Sequence, residues 1–283
     1  MGLNMENRYQ LTRAENVFIA RKHWPDSIYS GMRMENRNVT FPQTETILAG
    51  INVAGVSLDD IQAILNMRDA WRFLLDNLDQ PISVEFLCEI QDRVAFREAL
   101  AWGTLRDGSV GISGVSYVPP IPNIGAVRAE LMVLLEGELA ETEKALDLFC
   151  WVARSQLFWD GNKRAAMLAA NKLLIEAGAG VLLIADSDML EFSTLLSDFY
   201  ETGKSEQLKT FLYEKAIYGI EMPAIQVGSR TADWLKTTRR AKGFTQKQLA
   251  QVIGVATNTI ANIEQGQRKG SDAVWQKIEQ LLA

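Results

Sequence analysis

Histidine is almost missing from this chain: among 283 residues there is one, His23, and cysteine is represented only by Cys88 and Cys150. Both cysteines fall inside helical patterns and neither has a C-x-x-C partner. They read as buried thiols in preference to a disulfide or a metal site. His23 precedes Trp24-Pro25, a setting for a local structural role, with a displaced catalytic base as the alternative. No apolar run approaches the roughly 18–20 residues needed to span a bilayer, and no charged-then-apolar leader opens the chain. We therefore expect a cytoplasmic protein without membrane contact. Internal repeats and low-complexity segments are absent as well. What is there, 47% hydrophobic and 23% charged, is a globular composition long enough for one large domain and one small one.

The net charge of −6 conceals an asymmetry. Residues 229–283 carry nine Lys/Arg against four Asp/Glu, whereas residues 1–228 carry 20 against 31. A basic tail follows an acidic body, a division that points to a nucleic-acid partner for the tail. The low-charge stretch from Gly219 to Gly228, with Pro223, is the natural linker. We take residues 1–218 as the large domain, 219–229 as linker and 230–283 as the small domain.

Most of the large domain reads as helix. Ser57 caps a helix through Asp76, Ser83 another through Leu100, and Val127 to Leu135 a third. Two more helices, Thr142 to Gln156 and Ala165 onward, flank the run Leu157-Phe158-Trp159-Asp160-Gly161-Asn162-Lys163-Arg164. Residues 188–202 and 205–217 close the domain. The loop between the two central helices places a glycine, flanked by Asp and Asn, at a helix start, where free N–H groups and the helix dipole attract anions. Asp160 is suited to Mg²⁺, a hard cation. Gly161 allows close backbone approach, Asn162 offers a hydrogen bond, and Lys163 and Arg164 add positive charge.

This run resembles the signature of the Fic family, H-x-F-x-[DE]-G-N-[GK]-R-x-x-R, at Phe158, Asp160, Gly161, Asn162, Lys163 and Arg164. The resemblance implies a mainly α fold with a short β-hairpin flap, ATP or another nucleotide with Mg²⁺ as ligands, and transfer of AMP to a protein hydroxyl. Phe158, Gly161, Asn162, Lys163 and Arg164 would bind nucleotide and Asp160 the metal. Two positions depart from the family: its histidine falls on Gln156 and its last arginine on Met167. Glutamine has no useful pKa, and losing a positioned base costs about 10²–10⁴ in rate, so catalysis is expected to be impaired. Residues 103–122, with Arg106, Val110, Ile112 and Pro120, are similar to the family flap and read as a short β-hairpin followed by an extended proline segment; the flap would pair with a target protein through Val110 and Ile112. Ser27 to Asn36 resembles the family's self-inhibitory segment, with Glu35 as the inhibitory glutamate; with Met167 in place of arginine, Glu35 would have to engage Arg164 or Lys163.

The tail from Leu235 to Gly266 is similar to the helix-turn-helix of Cro and phage-repressor-like regulators, a small all-α domain. Thr245 caps a helix, Leu249, Ala250 and Ile253 face its core, Gly254 makes the turn, and Ile260 and Ile263 anchor the next helix. The resemblance implies DNA as partner, read by a homodimer. Thr257, Asn258, Thr259 and Asn262 would enter the major groove, while Gln246, Arg239, Arg240 and Lys247 would hold phosphates. Three functions remain open: a nucleotide-binding regulator with impaired catalysis, a protein adenylyltransferase self-inhibited by Glu35, and a toxin–antitoxin-like protein-binding module.

Overall fold

Helix starts fall where the sequence supplies a capping oxygen. In the computed structural model, which describes residues 5–219, 232–242 and 244–282, Thr12 and Glu15 form a reciprocal capping box for α1 (Arg13–Lys22). α2 (Trp24–Met34) follows at once, with His23 closing the first helix and opening the second. Thr40 and Gln43 cap α3 (Phe41–Leu48); Ser57 caps α4 (Leu58–Asp76), Ser83 α5 (Val84–Val94) and Asn123 α6 (Ile124–Glu136). The central pair is α7 (Glu141–Ser155) and α8 (Asn162–Glu176). β1 (Val181–Leu182), α9 (Met189–Thr202), α10 (Glu206–Phe211), a wide helical turn at Leu212–Ala216 and β2 (Ile217–Tyr218) complete this unit.

α8 is the axis of the unit. From Arg164 to Ile175 every residue is buried, because Ala165, Ala166, Ala169 and Ala170 leave room for neighbours to approach on all sides. It packs along α7 and touches α1, α2, α4, α5 and β1. The buried amide at its middle, Asn171, exchanges hydrogen bonds with the backbone of Leu182, donating at 2.9 Å and accepting at 2.8 Å, and so ties the helix to β1. Met167 is fully buried and reaches Gly31 of α2. Both cysteines are free thiols, and burial pushes Cys88 up to about 11 and Cys150 to about 12, so neither is a ready nucleophile.

The fold is mainly α, with one two-stranded antiparallel sheet in register Val181 with Tyr218 and Leu182 with Ile217. Two local expectations need correction. The helix from Ser83 ends at Val94 instead of Leu100, since Arg97 takes a left-handed conformation at φ 61° that turns Glu98 inward. Residues 103–122 form no strand ladder: the sheet lies elsewhere, and the flap is irregular chain with a turn at 113–114. Its carbonyls bond to a side chain in place of a second strand. The buried Arg106 guanidinium donates to the carbonyls of Gly108 (2.5 Å), Pro120 (2.6 Å) and Pro119 (3.3 Å).

The chain divides into two compact units, residues 1–223 and 224–283. Apart from Gly219, the linker expected at 219–229 lies outside the described residues. In the second unit α11 (Ala232–Ala241), α12 (Gln246–Ile253), α13 (Thr257–Glu264) and α14 (Asp272–Leu282) surround Leu235, Leu249, Ile253, Ile260, Trp275 and Ile278. Thr245 and Gln248 form the capping box of α12, and Gly254 makes the turn at φ 72°.

Candidate functional site

The loop between α7 and α8 is held by its own side chains. α7 ends at Gln156 in a left-handed conformation (φ 45°, ψ 57°) rare for a residue with a side chain. Its carbonyl accepts from Arg106 Nε at 2.5 Å, so the residue that gathers the flap also fixes the loop. Phe158 is fully buried and anchors the loop in the core. Asn162 accepts from the Phe158 N–H (2.9 Å) and donates to the Phe158 carbonyl (2.8 Å) and Gln156 Oε1 (3.1 Å). Gly161 stands at φ 77°, and a Cβ there would come within 2.9 Å of Val94. Phe158, expected to contact nucleotide, is fully buried and shapes the loop, whereas Asn162 both shapes the loop through its amide and lines the cavity beside it.

The loop opens into a cavity of 570 Å³. Gln156, Trp159, Asp160, Asn162 and Lys163 come from the motif, Glu35 from the end of α2, and Ile112 and Val115 from the flap. The fourth wall is α9, through Phe192, Ser193, Leu196, Ser197 and Tyr200, spaced along one helix face. Val110 is not on the lining. No side chain caps the start of α8, so its first N–H groups have no intrahelical or side-chain acceptor.

Charge converges at that helix start. Glu35 Oε2 lies 3.1 Å from Lys163 Nζ and Oε1 3.6 Å from Arg164 Nε. Lys163 also donates to the Met34 carbonyl at 2.9 Å. Arg164, 1% exposed, donates to Glu98 (3.2 Å) and the Val94 carbonyl (3.1 Å). Glu98 in turn holds Arg37 and accepts from Asn66 at 2.7 Å. Thus Glu35 does meet Lys163 and Arg164. Glu98 and Arg37 were not singled out from the sequence, because the inward turn at Arg97 carries no motif.

Asp160 is half exposed, and its Oδ1 accepts the Gly161 N–H at 2.6 Å, leaving Oδ2 available. Among the described residues no group of three or more His, Cys, Asp or Glu could hold a metal. One carboxylate suits Mg²⁺ only when phosphate oxygens and water complete its shell. His23 is not on the cavity lining: its Nδ1 sits 3.3 Å from Asp26 Oδ2 at the α1–α2 junction, a contact that fits a local structural role.

In the second unit Thr257 and Asn258 are exposed at the start of α13, with Thr259 and Asn262 half-buried behind them; Arg240 and Lys247 are exposed. Two of the residues expected to hold phosphates have partners within the unit. Arg239 is buried and forks onto Glu264 at 2.5 and 3.0 Å, also donating to the Phe244 carbonyl at 2.6 Å. Gln246 donates to the same carboxylate at 2.7 Å. Burial alone would raise Glu264; the Arg239 and Gln246 hydrogen bonds outweigh it and hold its pKa below the usual value.

Comparison with known proteins agrees with both halves. Residues 81–174 match the model of the Fic/DOC family, and residues 235–283 match that of the helix-turn-helix. The chain therefore joins a Fic domain to a helix-turn-helix domain. Among solved structures it is similar to Fic-1 (aa134–508) from C. elegans, at 19% identity and TM-score 0.60, covering 79% of this chain and 64% of that one. It is also similar to a Fic family protein from Desulfovibrio desulfuricans G20 (17% identity, TM-score 0.55, 88% and 78% covered). A Fic domain containing signaling protein from Bacteroides thetaiotaomicron VPI-5482 gives 16%, 0.55, 93% and 94%. The chain thus spans under two thirds of the C. elegans structure, and these likenesses concern the fold. No curated protein matches. Among the described residues no helix is long and apolar enough to cross a membrane.

Proposed function

We propose that this protein is a nucleotide-binding regulator: the Fic domain takes a nucleotide polyphosphate with Mg²⁺, preferably ATP, and the helix-turn-helix domain binds DNA as part of a homodimer. The observation that carries the reading is the uncapped start of α8, which faces a 570 Å³ cavity with Lys163 and Arg164 beside it and a carboxylate, Glu35, on those two cations. A carboxylate held there has the charge and the hydrogen-bonding oxygens of a phosphate. An entering polyphosphate would compete with it for the same groups. Asp160 Oδ2 would hold Mg²⁺, which on binding supplies charge neutralisation for the phosphates.

Gln156 supports impaired transfer. Its amide donates to the Ala153 carbonyl at 2.6 Å and accepts from Asn162, and neither group can take a proton from an attacking hydroxyl. The Glu35 contacts equally support a second reading, a protein adenylyltransferase of low activity that is self-inhibited, with the flap around Ile112 receiving the target backbone. A transfer assay with labelled ATP separates the two: self-inhibited transfer appears when Glu35 is removed, whereas a regulator without a base stays silent while its ATP affinity rises.

A further inference from the structure

One side chain of the cavity has no use in the loop or in the ion cluster. Tyr200, on α9, is 5% exposed and lines the cavity, and no protein group lies within hydrogen-bonding reach of its hydroxyl. Such an orphan donor is costly in a folded chain unless something else uses it. The same wall carries Phe192, Ser193, Leu196 and Ser197, and none of them hydrogen-bonds the Tyr200 hydroxyl. The ring itself is held by contact with Phe199, centroids 6.2 Å apart, and the backbone carbonyl of Tyr200 accepts from Arg154 at 3.2 Å. The side chain is therefore fixed with its polar atom unsatisfied.

We propose that the Tyr200 hydroxyl is a ligand-binding group, a neutral hydrogen-bond donor for the anionic group that displaces Glu35. The inference rests on the phosphate-site reading above and adds a residue to it. Burial first, and the negative charge of Glu35 second, push the phenol's pKa up, so the group stays protonated and can donate at any working pH. Glu35 is close enough to act on the hydroxyl electrostatically, yet bonds to Lys163 and Arg164 and not to it. A phosphate is larger than a carboxylate and has more acceptor oxygens. It can keep both cations and also take the phenol proton in a charge-assisted hydrogen bond. Among the residues lining the cavity Lys163 is the one cation, so the phenol adds a neutral donor to the wall.

The test compares the full-length Glu35→Ala chain with the Glu35→Ala/Tyr200→Phe chain by calorimetry, using Mg²⁺ with inorganic triphosphate, with ATP and with adenosine. Loss of the hydroxyl is expected to lower affinity for triphosphate and ATP alike by roughly 10-fold or more, the range for a hydrogen bond to a charged group, and to leave adenosine unchanged. The ligand-free melting temperature of Tyr200→Phe should be equal to or above that of the parent, since an unpartnered buried hydroxyl is removed. Unchanged triphosphate affinity overturns the proposal, whether or not ATP binding falls. So does a lowered melting temperature without loss of binding, which would make the hydroxyl structural. If the Glu35→Ala chain binds neither triphosphate nor ATP, the phosphate-site reading itself fails.

Discussion

Gln156 ends α7 at the edge of the cavity. It sits where a base would be needed, in a left-handed backbone conformation that histidine tolerates better than most residues. Gln156→His should therefore fold and should raise transfer of labelled nucleotide to protein by at least about 10-fold, within the range a positioned base provides. Equal labelling by both chains would show that the missing base is not what limits transfer. Gly161 makes the complementary point. Gly161→Ala puts a methyl within 2.9 Å of Val94 at φ 77° and is expected to cost about 1–3 kcal/mol in chemical denaturation. The residue identities of this loop were legible in the sequence, but their division of labour was not. Phe158 looked like a ligand contact because a motif records which residues recur and not which way they point, and its ring is buried in the core.

At the scale of elements, capped helices were the most legible part. Ser57, Ser83 and Thr245 mark helix starts because a side-chain oxygen satisfies an orphan N–H, a local effect that sequence displays directly. The flap was misread as a hairpin because alternating Val110 and Ile112 resemble strand residues. What the alternation does not show is that Arg106, within the same segment, buries its guanidinium against the carbonyls of Gly108 and Pro120. The pairing of Arg239 was not legible either, as its partner Glu264 lies 25 residues away on another helix. Arg239→Met should lower the unfolding stability of the helix-turn-helix unit by up to about 3–5 kcal/mol, the cost of leaving one member of a buried pair alone. By contrast Arg240→Ala should weaken all DNA sequences alike with little effect on folding. Because Glu264 has a depressed pKa in the folded state, its stabilising contribution is present above its unfolded value of 4.5 and is lost as pH falls through the lower folded value. Denaturation followed between neutral and acid pH would show this unit weakening on the acid side, and Glu264→Gln should flatten that dependence.

At the scale of the whole molecule, an acidic Fic domain and a basic helix-turn-helix domain share one chain. DNA binding by residues 230–283 should fall steeply with salt, as phosphate contacts release counterions. Asn258→Ala should cost roughly 1–3 kcal/mol at particular bases, and analytical ultracentrifugation on a two-half-site duplex should give two copies per site. An isolated tail whose duplex affinity ignores salt would contradict the assignment. The central claim, that Glu35 stands where a nucleotide's phosphate binds, is tested most directly by calorimetry of ATP and Mg²⁺ with the full-length chain and its Glu35→Ala variant. The account predicts tighter binding by the variant, on the order of 10-fold, as Lys163 and Arg164 are freed. Equal affinity in the two chains, or binding lost with the glutamate, would contradict it.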